Sequence, residues 1–153
     1  MSYMLELPCL EKDRADFIVE YNHKKGLNII ETEEYLYALE PNENFVEGEV
    51  KINPNYEKEQ EEKETIRIGK LTCTKRNFAL MLQKLGITYN QLKELISKNE
   101  QALMEWDLCV ELERSNPLLD TMAAELNIQP NTLDKMFMFA NGEIADFTEV
   151  ISA

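Results

Sequence analysis

Residues 126–136 carry the sequence LNIQPNTLDKM, whose spacing is typical of a helix–turn–helix corner. Asn127 occupies the turn position, where asparagine tolerates a positive φ better than most residues. Pro130 lies at the start of the next predicted helix, a position at which proline is favoured. Ala123 is small enough to let two helices approach closely. The stretch therefore predicts two packed helices whose inward side chains are Ile128, Leu133 and Met136.

Helical periodicity extends over residues 71–140, and start signals divide it into five helices. The predicted starts are, in chain order, Thr74, Thr88 with Gln91 as a capping box, Ser97 with Glu100, Asn116 with Pro117, and Pro130. Residues 85–92 and 126–133 agree at four positions, which indicates two similar corners. They are expected to pack on the third helix, with Trp106 in the core. We predict a bundle over residues 70–142, followed by residues 143–153 as a tail or a short strand.

The first 53 residues have a different pattern, typical of a small α/β module. A short strand is predicted over residues 3–7, and a helix over residues 11–25 that ends at Gly26. Residues 27–30 and 35–39 are β-rich runs separated by polar residues, so we expect them to form a hairpin. The order of these elements is βαββ.

An acidic segment joins the two predicted modules. Residues 54–65, PNYEKEQEEKET, offer only Tyr56 to a core. Residues 31–64 contain 12 acids and three lysines, so they hold −9 of the chain's net charge of −13. We interpret residues 54–69 as an exposed linker, either helical or disordered. The predicted fold is therefore α+β, with a βαββ unit followed by a bundle of about five helices.

Composition limits the classes of partner. With 29 acids against 16 lysines and arginines, the chain is not expected to bind nucleic acid or anionic membranes through general charge attraction. The cysteines Cys9, Cys73 and Cys109 form no paired motif, which favours reduced thiols. Neither a signal peptide nor a membrane span is indicated, so we expect a cytoplasmic protein.

The two corners differ in their suitability for DNA. The second corner presents one lysine and one acid on its outward face, too few cations to anchor phosphates. Residues 75–98 of the first corner carry a net charge of +4, but Leu82 replaces the small residue at the close approach. A DNA-binding regulator would use the cations of this corner, namely Lys75, Arg76, Lys84 and Lys93.

Catalytic chemistry has little support in the sequence. His23 is the sole histidine and is interpreted as a favourable cation at a helix C-terminus. Motifs for a nucleophile elbow, a phosphate-binding loop or a zinc site are not found. We therefore expect no catalytic residue, no cofactor and no metal site, and we do not expect an enzyme.

Two longer stretches resemble a group of viral proteins. Residues 7–43, LPCLEKDRADFIVEYNHKKGLNIIETEEYLYALEPNE, are similar to the N-terminal module of small uncharacterised accessory proteins encoded by phages and prophages of gut bacteria, some associated with tail-fibre genes. DFIVEYNH at 16–23 and YLYALE at 35–40 carry most of this resemblance. Residues 70–96, KLTCTKRNFALMLQKLGITYNQLKELI, have a similar character. The resemblance implies a virion accessory or assembly protein that works by contact.

The leading hypothesis is a non-enzymatic phage or prophage accessory protein that binds another protein, in fibre assembly or as a scaffold, within the host cytoplasm or on the virion. Assembly of the chain into a homo-oligomer is left open. The expected contact residues are Met136, Phe137, Met138, Phe139 and Phe147, for which burial in the bundle is the equal alternative. A helix–turn–helix regulator is the first rival. The second is an acidic inhibitor whose carboxylates from Glu31 to Glu64 imitate a row of phosphates.

Overall fold

A computed structural model describes residues 2–152 and confirms the α+β class, with small sheets followed by helices. The chain divides into two compact units, residues 1–60 and residues 61–153. Each unit has its own cluster of buried apolar side chains. The sequence pattern predicts boundaries after residues 53, 69 and 142, which separate the α/β module, the acidic linker, the bundle and the C-terminal segment. Every helix in residues 2–152 is too short or too polar to cross a bilayer.

The first unit contains the predicted βαββ arrangement. Strands β1 (Tyr3–Glu6), β2 (Asn28–Glu31) and β3 (Tyr35–Leu39) form an antiparallel sheet in the order β1-β3-β2. Helix α1 (Glu11–Ile18) continues as a π-helical segment (Val19–Lys24) before Gly26, whose φ of +69° ends it. The core between helix and sheet is formed by Phe17, Leu27, Leu36 and Ala38.

A second hairpin in this unit was not predicted. Strands β4 (Glu43–Val46) and β5 (Glu49–Ile52) pair antiparallel, with Val46 opposite Glu49. The two turn residues, Glu47 and Gly48, both have positive φ values, +52° and +82°. This conformation is typical of the tightest hairpin turns, in which asparagine or aspartate usually precedes the glycine. Glutamate at that position is the reason why the turn signal was missed.

The acidic segment forms helix α2 (Tyr56–Gly69) in this structure. Residues 57–67 are all exposed, and the boundary between the two units falls within the helix. Of the two forms left open for the linker, the structure shows the helical one. Because α2 buries no side chain, it is a polar helix whose charged side chains lie in solvent.

The second unit contains the five predicted helices, α3 to α7, together with elements that were not predicted. In chain order, all the elements of this unit are β6 (Thr72–Thr74), α3 (Lys75–Lys84), α4 (Tyr89–Ser97), α5 (Glu100–Leu108), β7 (Glu111–Glu113), α6 (Pro117–Glu125), α7 (Pro130–Ala140) and α8 (Thr148–Ile151). Strands β6 and β7 pair antiparallel over three residues each, too short a length for alternation to reveal them.

Most predicted helix starts agree with the caps observed. Thr74, Asn116 and the Thr88–Gln91 capping box each satisfy backbone N–H groups of the first turn. The third helix begins later than predicted, because the Asn99 side chain, and not Ser97, accepts the N–H of Ala102. The positive φ expected at Asn127 is confirmed at +57°.

The core of the second unit includes the C-terminal residues that were expected to form a tail or a short strand. Ile144, Phe147 and Val150 belong to the same buried cluster as Leu82, Leu133 and the other inward side chains of α3 to α7. Residues 143–152 therefore cover the bundle. Three apolar residues at spacings of three residues are enough to hold this segment against the core.

Candidate functional site

Three of the five predicted protein-contact residues are buried, and the other two are half-buried. Met136 and Phe137 are fully buried, and Phe147 is 8% exposed, while Met138 and Phe139 are half-buried. The Phe137 ring packs at 6.3 Å from that of Phe78, and Phe139 meets Phe147 edge to face at 5.2 Å. Of the two alternatives left open for these residues, the structure shows burial for Met136, Phe137 and Phe147, because α7 is covered by α3, α6 and α8.

Of the four cations named for DNA binding, Lys75 and Arg76 line one hollow, whereas Lys84 lines another and Lys93 lines neither. Lys75 donates from Nζ to the carbonyl oxygen of Trp106 at 2.7 Å, and its ammonium lies 5.8 Å from the indole centroid. Lys84 lies over the rings of Phe139 and Phe147 at 5.4 and 5.0 Å. Lys93 lies over Tyr89. Each of these three ammonium groups therefore makes a cation–π contact with an aromatic ring of the second unit.

One side of helix α3 borders an open hollow of about 440 Å³. Arg76, Leu80 and Gln83 follow one another on the same exposed helical face, at spacings of four and three residues. Tyr89 at the start of α4 and Trp106 in α5 form the opposite wall. Lys75 and Ala79 complete the lining. Apolar surface lies inside this hollow, and Lys75 and Arg76 supply positive charge at its rim.

The other side of α3 borders a second hollow of about 260 Å³. Its lining comes from α3 and from the end of α7, and consists of Asn77, Leu80, Met81, Lys84, Phe139 and Ala140. Leu80 is 41% exposed and lines both hollows, so it forms the ridge between them. We call Leu80 together with the two hollows the α3 surface.

The α3 surface differs from the rest of the molecule in its charge. The linings of the two hollows, within residues 2–152, include three cations and no acid. One carboxylate interacts with a cation of this surface: the pKa of Asp146 is lowered first by the backbone N–H of Thr148 and also by the Lys84 charge. Lys84 is therefore partly compensated. Arg76, which is exposed on α3, is the better probe of the surface charge.

Two features of the sequence point to the α3 surface, the position of Leu80 and that of Trp106. Phe78, Met81 and Leu82 of α3 face the core. Leu80 lies on the opposite face, between Arg76 and Lys84 at spacings of four. An outward-facing apolar residue is a candidate for contact where it belongs to a larger apolar patch that is rimmed by cations. Trp106 was assigned to the core, yet the structure leaves it half-buried, with part of its indole lining the larger hollow.

Other titratable and nucleophilic groups are dispersed. Burial raises the pKa of the Cys73 thiol to about 11, so this buried cysteine stays protonated near neutral pH. His23 is exposed at the end of the π-helical segment. Among residues 2–152, no group of three or more histidine, cysteine, aspartate or glutamate side chains is arranged to hold a metal ion.

Protein-family models, curated proteins and solved structures each gave no match to the chain.

Proposed function

We propose that this protein acts by binding another protein through the α3 surface, without a reaction of its own. The resemblance of residues 7–43 and 70–96 supports a phage or prophage accessory role, such as tail-fibre assembly or scaffolding. Such a protein would work in the host cytoplasm or on the virion. Of the contact residues expected from the sequence, the buried Met136 and Phe137 are not part of this proposal, whereas Phe139 remains in it as a wall of the second hollow.

The single observation that carries the proposal is the combination of apolar relief with positive charge on α3. Leu80 stands exposed between two hollows, and both hollows contain aromatic walls. Exposed apolar surface that is rimmed by polar groups is typical of protein contacts. Aromatic and arginine side chains are also the residue types that dominate binding energy at interfaces.

A DNA-binding regulator is the second candidate, favoured by the geometry of the first corner. Helices α3 and α4 are joined at Gly86, whose φ is +84°, and residues 70–98 carry six cations against one acid. Electrophoretic shift at rising salt tests it, because phosphate contacts weaken steeply with ionic strength. A sequence-selective complex at physiological salt would favour the regulator over the protein-binding proposal.

The acidic inhibitor is the third candidate, and the order of α2 favours it. The helix presents glutamates over residues 57–64, all exposed to solvent. An inhibitor of this type competes with DNA for a host nucleic-acid-binding protein. Charge neutralisation of these glutamates to glutamine would abolish that competition, whereas binding through the α3 surface would persist.

Affinity capture from infected or lysogenic cells tests the proposed function. Native protein, Leu80→Glu and the control Met104→Glu are used as baits; Met104 is 54% exposed on α5 and lies outside the linings of both hollows. We expect native protein and Met104→Glu to retain the same partner, and Leu80→Glu to lose it. Equal recovery with all three baits contradicts the proposal. Comparing the fraction associated with virions then separates a structural partner from a host protein.

A further inference from the structure

We propose that the α3 surface binds an acidic amphipathic helix of the partner protein, which places two bulky apolar side chains in the hollows on either side of Leu80. This inference rests on the proposed protein-binding function and specifies the chemistry of the segment that is bound. The two hollows, about 440 and 260 Å³ in volume, meet at a single ridge. A ligand with two apolar side chains on one face can straddle that ridge.

Charge complementarity specifies the acidic character of the ligand. Residues 70–98 have a net charge of +5, although the chain as a whole has −13. Arg76 offers a planar set of five donors, which suits a carboxylate. Lys75 gives one hydrogen bond to the Trp106 carbonyl oxygen, and an ammonium group has three N–H donors. Carboxylates that flank the apolar side chains would therefore meet cations at the rim.

The secondary structure of the surface favours a helical ligand. A bound strand gains affinity by hydrogen bonding to the unpaired edge of a sheet, whereas α3 satisfies its own backbone groups along its length. Binding must then come from side chains. An amphipathic helix presents apolar side chains at spacings of three, four and seven residues, the arrangement used when a helix lies in a groove.

A protein segment fits this surface better than a nucleic acid does. A duplex carries one negative charge for about every 1.7 Å, so the acidic remainder of the chain repels it. A short helix with a few carboxylates senses mainly the local cations, because charges more than about 10 Å apart are screened at 0.1 M salt. The aromatic walls and Leu80 would add affinity for apolar side chains and little for phosphates.

The experiment is an unbiased selection with the full-length protein. A displayed library of random 16-residue peptides is enriched on native protein, after rounds of depletion on Leu80→Glu. The enriched peptides are synthesised with a fluorophore, and their binding is measured by anisotropy at low and high salt. Circular dichroism of each protein variant shows that it is folded.

We expect enriched peptides rich in aspartate and glutamate, with bulky apolar residues three, four or seven positions apart. Their affinity should fall by about tenfold or more with Leu80→Glu and by about threefold to tenfold with Arg76→Glu, and it should weaken at high salt. Met104→Glu should bind them as native protein does. Peptide binding should also raise helix content in circular dichroism.

Three outcomes would overturn the inference: enriched peptides that are neutral or basic, no enrichment at all, or a single-stranded or duplex oligonucleotide that binds the α3 surface more tightly than any acidic peptide. The capture experiment separates these failures from failure of the proposed function. If Leu80→Glu loses the cellular partner while selected peptides are basic, protein binding stands and the acidic-helix inference fails. If capture is unaffected by Leu80→Glu, the proposed function itself fails.

Discussion

Arg114 is the buried charged residue of the second unit, at 8% exposure. Its Nε donates to Asp134 at 2.6 Å and its Nη1 donates to Asp120 at 3.0 Å. The two acids lie on α7 and α6, so one guanidinium ties the beginnings of both helices of the second corner. A planar cation with several donors can hold two carboxylates at once, which an ammonium group does less well.

Replacement of Arg114 by methionine should lower the free energy of unfolding by about 2–3 kcal/mol. The variant loses charge-assisted hydrogen bonds and leaves Asp120 and Asp134 without their cation, although their partial exposure limits the cost. Urea denaturation measures the change. Arg76→Met, at an exposed position, should stay within about 0.5 kcal/mol of native. A loss at Arg114 no greater than this control would show that the ion pairs contribute nothing.

The raised pKa of Cys73 makes a prediction about alkaline stability. The thiol titrates at about 11 when folded, against an ordinary value of 9.0. Between these pH values the unfolded chain releases the thiol proton and the folded chain keeps it, so this contribution to stability is present below pH 9 and is lost as pH rises towards 11.

Native protein should therefore lose on the order of 1–2 kcal/mol more stability than Cys73→Ala between pH 8 and pH 10.5. Denaturant midpoints at several pH values give the comparison, and Cys109→Ala serves as the control for general effects of alkali. Parallel stability curves for native protein and Cys73→Ala would contradict the burial of this thiol.

At the scale of elements, the two corners of the bundle are built from short-range signals. Helices α3, α4 and α6 begin at a residue whose side chain caps the first turn, and α7 begins with Pro130. Each corner turns at a residue with positive φ, Gly86 in the first and Asn127 in the second. Glycine adopts that conformation freely, and asparagine does so at a small cost. For this reason the corners could be predicted from sequence alone.

Asn127→Val should destabilise the second unit by about 1–2 kcal/mol, because a β-branched side chain is strained at a φ of +57°. Asn127→Gly should be neutral or slightly stabilising. Asn131→Val is the control, since Asn131 lies exposed within α7 and the two residue types have similar helix propensities. Thermal unfolding ranks the three variants, and an equal effect at both positions would contradict the backbone explanation.

At the scale of the whole molecule, the net charge is unevenly distributed. Residues 1–60 contain 14 acids and six lysines or arginines, and residues 61–153 contain 15 acids and 10. The smaller unit therefore carries the larger net charge, −8 against −5. Self-repulsion of this kind destabilises the compact state and is screened by salt.

Raising sodium chloride from 20 mM to 0.5 M should raise the melting temperature by about 4 °C or more. This is the shift that about 1 kcal/mol produces in a domain of the size of either unit, residues 1–60 or residues 61–153. The rise should exceed that given by sorbitol at equal osmolality, which acts without screening charge. A melting temperature that is unaffected by salt, or equally raised by sorbitol, would show that repulsion is not important here.

Local signals in the sequence determined the first strand and helix, the hairpin of β2 and β3, the five helices α3 to α7 and most of their caps, because those features depend on neighbours within a few residues. Packing decided the rest. The hairpin β4–β5 and the pair β6–β7 have weak local signals, and the boundary between the units falls within the acidic helix.

The candidate site shows the same division most clearly. Periodicity indicated that Met136, Phe137 and Phe147 are apolar, but whether they are covered depends on α3, α6 and the C-terminal segment packing around them. Leu80 is apolar as well, yet it stays exposed between two hollows. The sequence by itself determined which side chains avoid water, and only the tertiary structure decided which of them find a partner within the chain, since burial depends on contacts between distant residues.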